Sequence, residues 1–143
     1  MITFQIAKGL DQNPDARLIR STVFEQEQGF TMEFDDIDAD AYHIVVYDEE
    51  TPVATGRTFP KPGDTNTYLI GRVAVLKPWR GKHLGTLILE QLEKTAKKQG
   101  AVWAELSAQL QAQGFYEKLG YQAFGEEYKD EFCPHIAMKR KLQ

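Results

Sequence analysis

Between a segment of strand character and one of helical character lies Pro78-Trp79-Arg80-Gly81-Lys82-His83-Leu84-Gly85. Strand, basic glycine-containing loop and helix together form an arrangement that binds phosphate. The first amides of a helix have no acceptor within it, the helix dipole places partial positive charge at the same end, and glycine lets an anion approach the main chain. Each dipolar contact contributes only ~0.3–1 kcal/mol, so several donors must act together, with Arg80 and Lys82 adding formal charge. Spacing excludes two nucleotide-binding patterns. A P-loop needs glycine at position 76 and Ser or Thr after Gly81-Lys82, where this chain has Leu76 and His83. A dinucleotide fingerprint needs GxGxxG opening a βαβ unit, and no such pattern occurs.

The elements that must position this loop are legible in the periodicity. The chain opens with an alternating strand, Met1 to Ile6, and Ala16, Ile19, Val23 and Phe24 then repeat at helical spacing from Pro14 to about Gln28, behind capping candidates Asp11 to Asn13. Glu33 to Asp40, rich in acid, reads as a solvated loop or short helix that could border a cleft and attract a cation. Tyr42 to Tyr47 and Val53 to Phe59 form a hairpin around Asp48 to Pro52, and Pro60 to Asp64 breaks the pattern before a central strand, Tyr68 to Leu76. From Leu84, the positions Leu87, Ile88, Leu92 and Ala96 mark a helix closed by Gly100. A strand from Val102, a short helix from Gln111 to Leu119 closed by Gly120, and strands at Tyr121 to Phe124 and Ile136 to Arg140 follow, the last two separated by an acidic loop. This order predicts an α/β fold, a mixed sheet with helices on both faces.

Composition bounds the rest. With 143 residues, 42% hydrophobic and 27% charged, the chain has the length and content of one domain, residues 1–143, able to bury a core without disulfides or metals. No apolar run approaches the ~20 residues that cross a bilayer, and the N-terminus lacks the pattern of a secretory signal. These features predict no membrane partner and a cytoplasmic location. The single cysteine, Cys133, has no partner for a disulfide or CxxC-type metal site, so no metal is expected and Cys133 reads as packing. A formal net charge of −4 argues against nucleic acid as the main ligand, leaving the local basic loop for one anionic cofactor.

Residues Val73 to Gly85 resemble motif A of the GNAT N-acetyltransferase family, whose core is Arg or Gln, two residues, Gly, one residue, then Gly or Ala. Arg80 and Gly85 match, and His83 replaces the first glycine, a position that then needs backbone angles open to an L-residue. Gln109, Ala112 and Phe115 to Tyr121 resemble motif B, with Gln109 where asparagine is commoner. Val23 to Gly29, His43 and Pro134-His135-Ile136 further resemble the ElaA/YjcF-like bacterial subgroup.

The resemblance implies a central sheet splayed between two parallel strands, with acetyl-CoA bound in the gap as cosubstrate. It implies that main-chain groups of Val73 and Val75 hold the pantetheine arm and polarise the thioester. Amides of Arg80, Gly81, Lys82, His83, Leu84, Gly85 and Thr86 would take the pyrophosphate, and Gln109 would also belong to the cofactor site. Tyr116 takes the family's place for the acid that protonates the departing thiolate. Without the motif, Phe115 and Tyr116 read simply as side chains packing a helix onto the sheet. The acceptor expected is a primary amine of a small molecule or peptide. An ammonium of pKa ~10.4 must lose a proton before attacking, at ~4–5 kcal/mol near neutrality, so a base or water chain is required. Glu27, His43, Glu105 and His135 are candidates to bind substrate or accept that proton, and the sequence does not rank them. A non-catalytic acyl-CoA binding module on the same fold is the alternative function. The chain is expected to act as a monomer or homodimer.

Overall fold

Strand β2 (Tyr42–Asp48) alternates between two cores: Ile44 and Val46 enter one and Val45 the other, all fully buried. Cover is therefore needed on both faces of the sheet. In the computed structural model, which describes residues 1–31 and 34–142, that cover comes from α2 (Leu84–Lys98) and α1 (Pro14–Arg20). Ile88 and Leu92 of α2 pack with Ile44, Val46 and Val53, while Ala16 and Ile19 of α1 pack with Val45 and Ala74.

The other elements are β1 (Ile2–Lys8), β3 (Thr51–Lys61), β4 (Asp64–Val75), β5 (Trp103–Gln109), α3 (Gln113–Lys118), β6 (Gln122–Asp130) and β7 (Cys133–Lys141). Among the described residues, seven strands make one sheet in the order β1-β2-β3-β4-β5-β7-β6, with only β4 and β5 paired in parallel. The expected mixed sheet with helices on both faces is the architecture found. Among the described residues, no helix is long and apolar enough to cross a membrane.

One local feature opens this sheet. Arg57 of β3 faces Gly71 and Thr55 faces Ala74, so Arg72 and Val73 together oppose Gly56 alone, with Arg72 at φ 52°. Such a bulge bends its strand and increases its twist. The β4–β5 ladder runs only from Thr67 and Trp103 to Ile70 and Leu106, ending where the bulge begins. Beyond it, β4 continues to Val75 and β5 to Gln109 without pairing to each other. Gly56 is required opposite the bulge because a β-carbon there would lie 2.7 Å from Ile88 Cγ2 and 3.0 Å from Leu92 Cδ1.

Several boundaries differ from the sequence reading. The first helix becomes a π-helix over Ser21–Glu27, where Gln28 N–H reaches Val23 O at 3.0 Å. Apolar spacing alone does not separate α from π turns. Strand β3 runs on through Pro60 to Lys61, with Gly63 at φ 80° in the turn to β4. The acidic segment through Glu126, Glu127 and Asp130 is not a loop but the exposed edge strand β6, where charge on both faces discourages pairing with other chains.

The acidic stretch before β2 differs most. Glu33 lies outside the described residues, but Asp35 and Asp38 cap a 3₁₀ turn over Asp36–Ala39 and point inward rather than into solvent. Asp38 meets Arg20 and Arg57 at 2.7 Å each, Arg57 also meets Asp35 at 2.7 Å, and Arg72 reaches Asp35 at 3.4 Å. Arg20, Asp38 and Arg57 are each no more than 4% exposed, so these charges depend on one another and not on water. Burial alone would raise both carboxyls, but Arg57 outweighs it at Asp35 and Arg20 at Asp38, holding both below the ordinary range. His43 donates from Nε2 to Asp38 O at 3.0 Å, and burial lowers its pKa.

Both kinds of shift act in the same direction. Groups with lowered folded pKa bind more protons unfolded, so stability falls as pH falls: through His43 below ~6.5, then through the aspartates below ~4. Urea unfolding at stepped pH should show the midpoint declining in that order. Asp38→Asn, leaving two buried arginines short of an anion, should lose ~3–5 kcal/mol, whereas Gly56→Ala should lose ~1–3 kcal/mol by overpacking. Both are measured by the same unfolding experiment.

Candidate active site

A cleft of about 910 Å³ occupies the opening between β4 and β5 and extends to both faces of the sheet. Its floor includes the edge of β4 at Gly71, Val73 and Val75, beyond the end of the ladder to β5. One end is formed by the loop after β4 and the start of α2, where Arg80, Gly81, His83, Leu84, Gly85 and Thr86 all line it. Helix α2 has no acidic residue in its first turn and no side-chain cap, so the amides of Leu84, Gly85 and Thr86 keep their positive end for a ligand.

The loop's backbone explains its sequence in part. Gly81 has φ 80° and His83 φ 64°, both left-handed. His83 thus adopts the conformation that the glycine of the resembled motif would take without strain, at a cost of ~1–2 kcal/mol for an L-residue. Gly85 is constrained by contact: a β-carbon there would lie 3.1 Å from Phe115 Cζ, so α2 and α3 meet closely at the cleft wall.

Arg80 does something its residue type did not announce. Its Nε–H donates to Val75 O at 2.8 Å, and its two terminal nitrogens grip both Glu27 oxygens at 2.8 and 2.9 Å. The fork fastens the loop to the end of the π-helix. The Arg80 hydrogen bonds hold the Glu27 carboxyl below its ordinary range, which makes Glu27 a weak base.

Tyr116, on α3, lines the cleft from the α2 side of the sheet, its ring edge-on to Phe115 at 5.0 Å and Tyr121 at 6.0 Å. The end of α3 is fixed by Gly120 at φ 94° and by Tyr121 N–H donating to Tyr116 O at 3.1 Å. Desolvation pushes the Tyr116 phenol up to about 12. On the opposite face, Gln109 at the end of β5 donates to Gln28 Oε1 at 2.9 Å, and His135 of β7 lies beside it in register.

Of the residues expected at the site, Tyr116, Val73, Val75, Arg80, Gly81, His83, Leu84, Gly85, Thr86, Gln109, Glu27 and His135 surround this one cleft. Three do not. Lys82 is exposed and not part of the lining, His43 is buried against Asp38, and Glu105 faces Lys61 at 3.0 Å. Strand alternation does not say which neighbour a strand glutamate will meet, and His43 is drawn inward by an ion-pair network the sequence does not display.

Sequence reasoning missed the wall at the far end. Glu131, at φ 55° in the β6–β7 turn, accepts from Thr31 N at 3.1 Å and from Thr31 Oγ at 2.9 Å, and Phe132 stacks on Phe30 at 5.1 Å. Thr31 and Glu131 are 100 positions apart, Phe30 and Phe132 about as distant, and no local pattern links either pair. Replacing His83 with Gly should relieve backbone strain and raise stability by up to ~1 kcal/mol, while His83→Val should lower it by at least that much. Thermal unfolding of both variants checks this.

Comparison with known proteins matches the chain to a family. Residues 12–121 match the model of the Acetyltransferase (GNAT) family. The chain is 40% identical over 138 residues to the uncharacterized N-acetyltransferase YjcF of Bacillus subtilis, covering 94% of this chain and 96% of that one. It is 29% identical over 131 residues to the Escherichia coli protein ElaA, covering 87% and 84%. The crystal structure of E. coli ElaA superposes with a TM-score of 0.87 at 28% identity, covering 98% and 99%. An acyl-CoA N-acyltransferase from Pseudomonas aeruginosa shares the fold with a TM-score of 0.86 at 24% identity, covering 98% and 99%. With the family's model spanning most of the chain and the splayed sheet in place, this protein belongs to the GNAT acetyltransferase family.

Proposed function

We propose that the chain transfers an acetyl group from acetyl-CoA to a primary amine by direct attack, with Tyr116 serving the departing sulfur. The residues present fit that cosubstrate. The free start of α2 suits a pyrophosphate, and the β4 edge from Gly71 to Val75 suits the amide groups of a pantetheine arm as a further strand would. The thioester would then lie where β4 and β5 part, open to an amine from the α1 side.

The observation that carries this reading is the Tyr116 hydroxyl. It has no hydrogen-bond partner among the described residues and is not among the buried polar atoms cut off from solvent, so it opens to the cleft. At a pKa of about 12 it is protonated throughout the physiological range. Against a thiol of pKa ~8.5, complete transfer from such a phenol would be uphill by ~5 kcal/mol. Tyr116 therefore works best by donating a hydrogen bond to the sulfur as negative charge develops and relaying the proton that the attacking nitrogen must lose. The acceptor class, a small-molecule or peptide amine, follows from the chemistry the family performs.

Tyr116→Phe should lower kcat by ~10²–10⁴ while leaving acetyl-CoA affinity unchanged. CoA release over an amine panel, with binding followed by calorimetry, tests both halves. An unchanged kcat would remove Tyr116 from the chemistry. Binding without CoA release in the wild type would point instead to a non-catalytic acyl-CoA module.

A further inference from the structure

The acetyl-transfer reading leaves the amine's proton without a destination, and the two faces of the sheet supply one. Leu106 and Ala108 of β5 belong to the core under α2, so Ser107 and Gln109 face the other side. His135 pairs with Gln109 in register and lies on that same side, as does its other neighbour, Tyr128 of β6. Tyr116 enters the opening from the α2 face. The cleft therefore receives a phenol from one face and an imidazole from the other, with the gap between β4 and β5 between them.

The His135 ring is held in one orientation. It is 6% exposed, it stacks on the Tyr128 ring at a centroid distance of 6.1 Å, and the Tyr128 hydroxyl is itself hydrogen-bonded to Ser107. Nδ1 lies 2.8 Å from Cys133 O. A carbonyl can only accept, so Nδ1 carries the proton and the neutral ring keeps its lone pair on Nε2. Nε2 has no hydrogen-bond partner among the described residues and is not among the buried polar atoms closed off from solvent. A buried ring with a fixed tautomer and one open basic nitrogen is suited to taking a proton.

The other candidates are paired, solvated or placed elsewhere. Glu27 is gripped by Arg80, Glu131 by Thr31, and Glu105 by Lys61 outside the cleft. His43 donates its Nε2 proton to Asp38 O and does not line the cleft. Asp130 lines the cleft from the exposed strand β6, where water solvates its carboxylate, and His83 stands at the start of α2, the end of the cleft suited to the pyrophosphate. Arg72 and Lys118, also in the lining, are cationic and accept nothing.

We propose that His135 is the general base: Nε2 removes one proton from the acceptor ammonium, the neutral nitrogen attacks the thioester carbon, and the C–S bond breaks. The nitrogen's second proton reaches the sulfur through Tyr116. The products are the amide, CoA thiol and an imidazolium at His135 that releases its proton to solvent. Cys133, through its carbonyl, and Tyr128, through its ring, are positioning residues.

This assignment rests on the acetyl-transfer reading, and the test separates the two. His135→Asn keeps a donor for Cys133 O but has no base. With a protonated alkylamine acceptor, its kcat/KM should fall by ~10²-fold or more, while with hydroxylamine, largely unprotonated at neutral pH, it should stay within roughly 3-fold of wild type. Free imidazole should partly restore His135→Ala with the alkylamine. An equal loss with both acceptors would show a structural role and overturn the proposal, as would no loss with either. Nitrogen-15 NMR of the wild-type ring offers a readout independent of turnover: a proton on Nδ1 is expected, and one on Nε2 would overturn the proposal whatever the activity. A wild type that acetylates neither acceptor would instead overturn the acetyl-transfer reading and take the base assignment with it.

Discussion

The bulge at Arg72 and Val73, opposite Gly56, is the constraint on which the rest depends. Two residues against one turn β4 away from its register with β3, and the parallel ladder to β5 stops at Ile70 and Leu106. Without that departure the sheet would close, and strand edges that now face a cleft would pair with each other. The bulge itself is held on both sides. Ile88 and Leu92 of α2 press against Gly56, and Arg72 is tied through Asp35 to the buried pair of Arg57 and Asp38. Packing on one face and charge on the other therefore fix the same two residues.

From that opening the chemistry divides by face. The α2 side brings helix amides, a left-handed loop and a desolvated phenol, all suited to a charged thioester donor. Opposite it, the α1 side brings the π-helical residues, Gln28 on Gln109, and His135 beside them. Arg80 joins the two, since its fork binds Glu27 while its Nε–H binds the carbonyl of Val75. A residue type chosen from sequence for its charge thus also spends that charge on architecture.

Legibility followed the range of the interaction. Helix α2, its closing Gly100, the central strand and the position of the glycine loop between strand and helix were readable because each is set by neighbours within a few positions. So was the order of elements, and with it the mixed sheet. What depended on distant partners was not readable. Asp38 looked like a solvated acid because Arg20 and Arg57, which neutralise it, come from different elements. The wall made by Thr31 with Glu131 and Phe30 with Phe132 had no local signature, and four amine-side candidates could not be ranked until the structure showed which were already paired. The substitution at His83 was visible in the sequence, but its left-handed angle was not.

The central claim is that the parted strands and the start of α2 together form the acetyl-CoA site. Amide chemical shifts recorded while CoA is titrated into the labelled protein test it most directly. The account predicts the largest changes at Gly81 to Thr86 and along β4 from Gly71 to Val75, with smaller ones across β1 and β2. Changes centred elsewhere, or none at concentrations that saturate related enzymes, would contradict it.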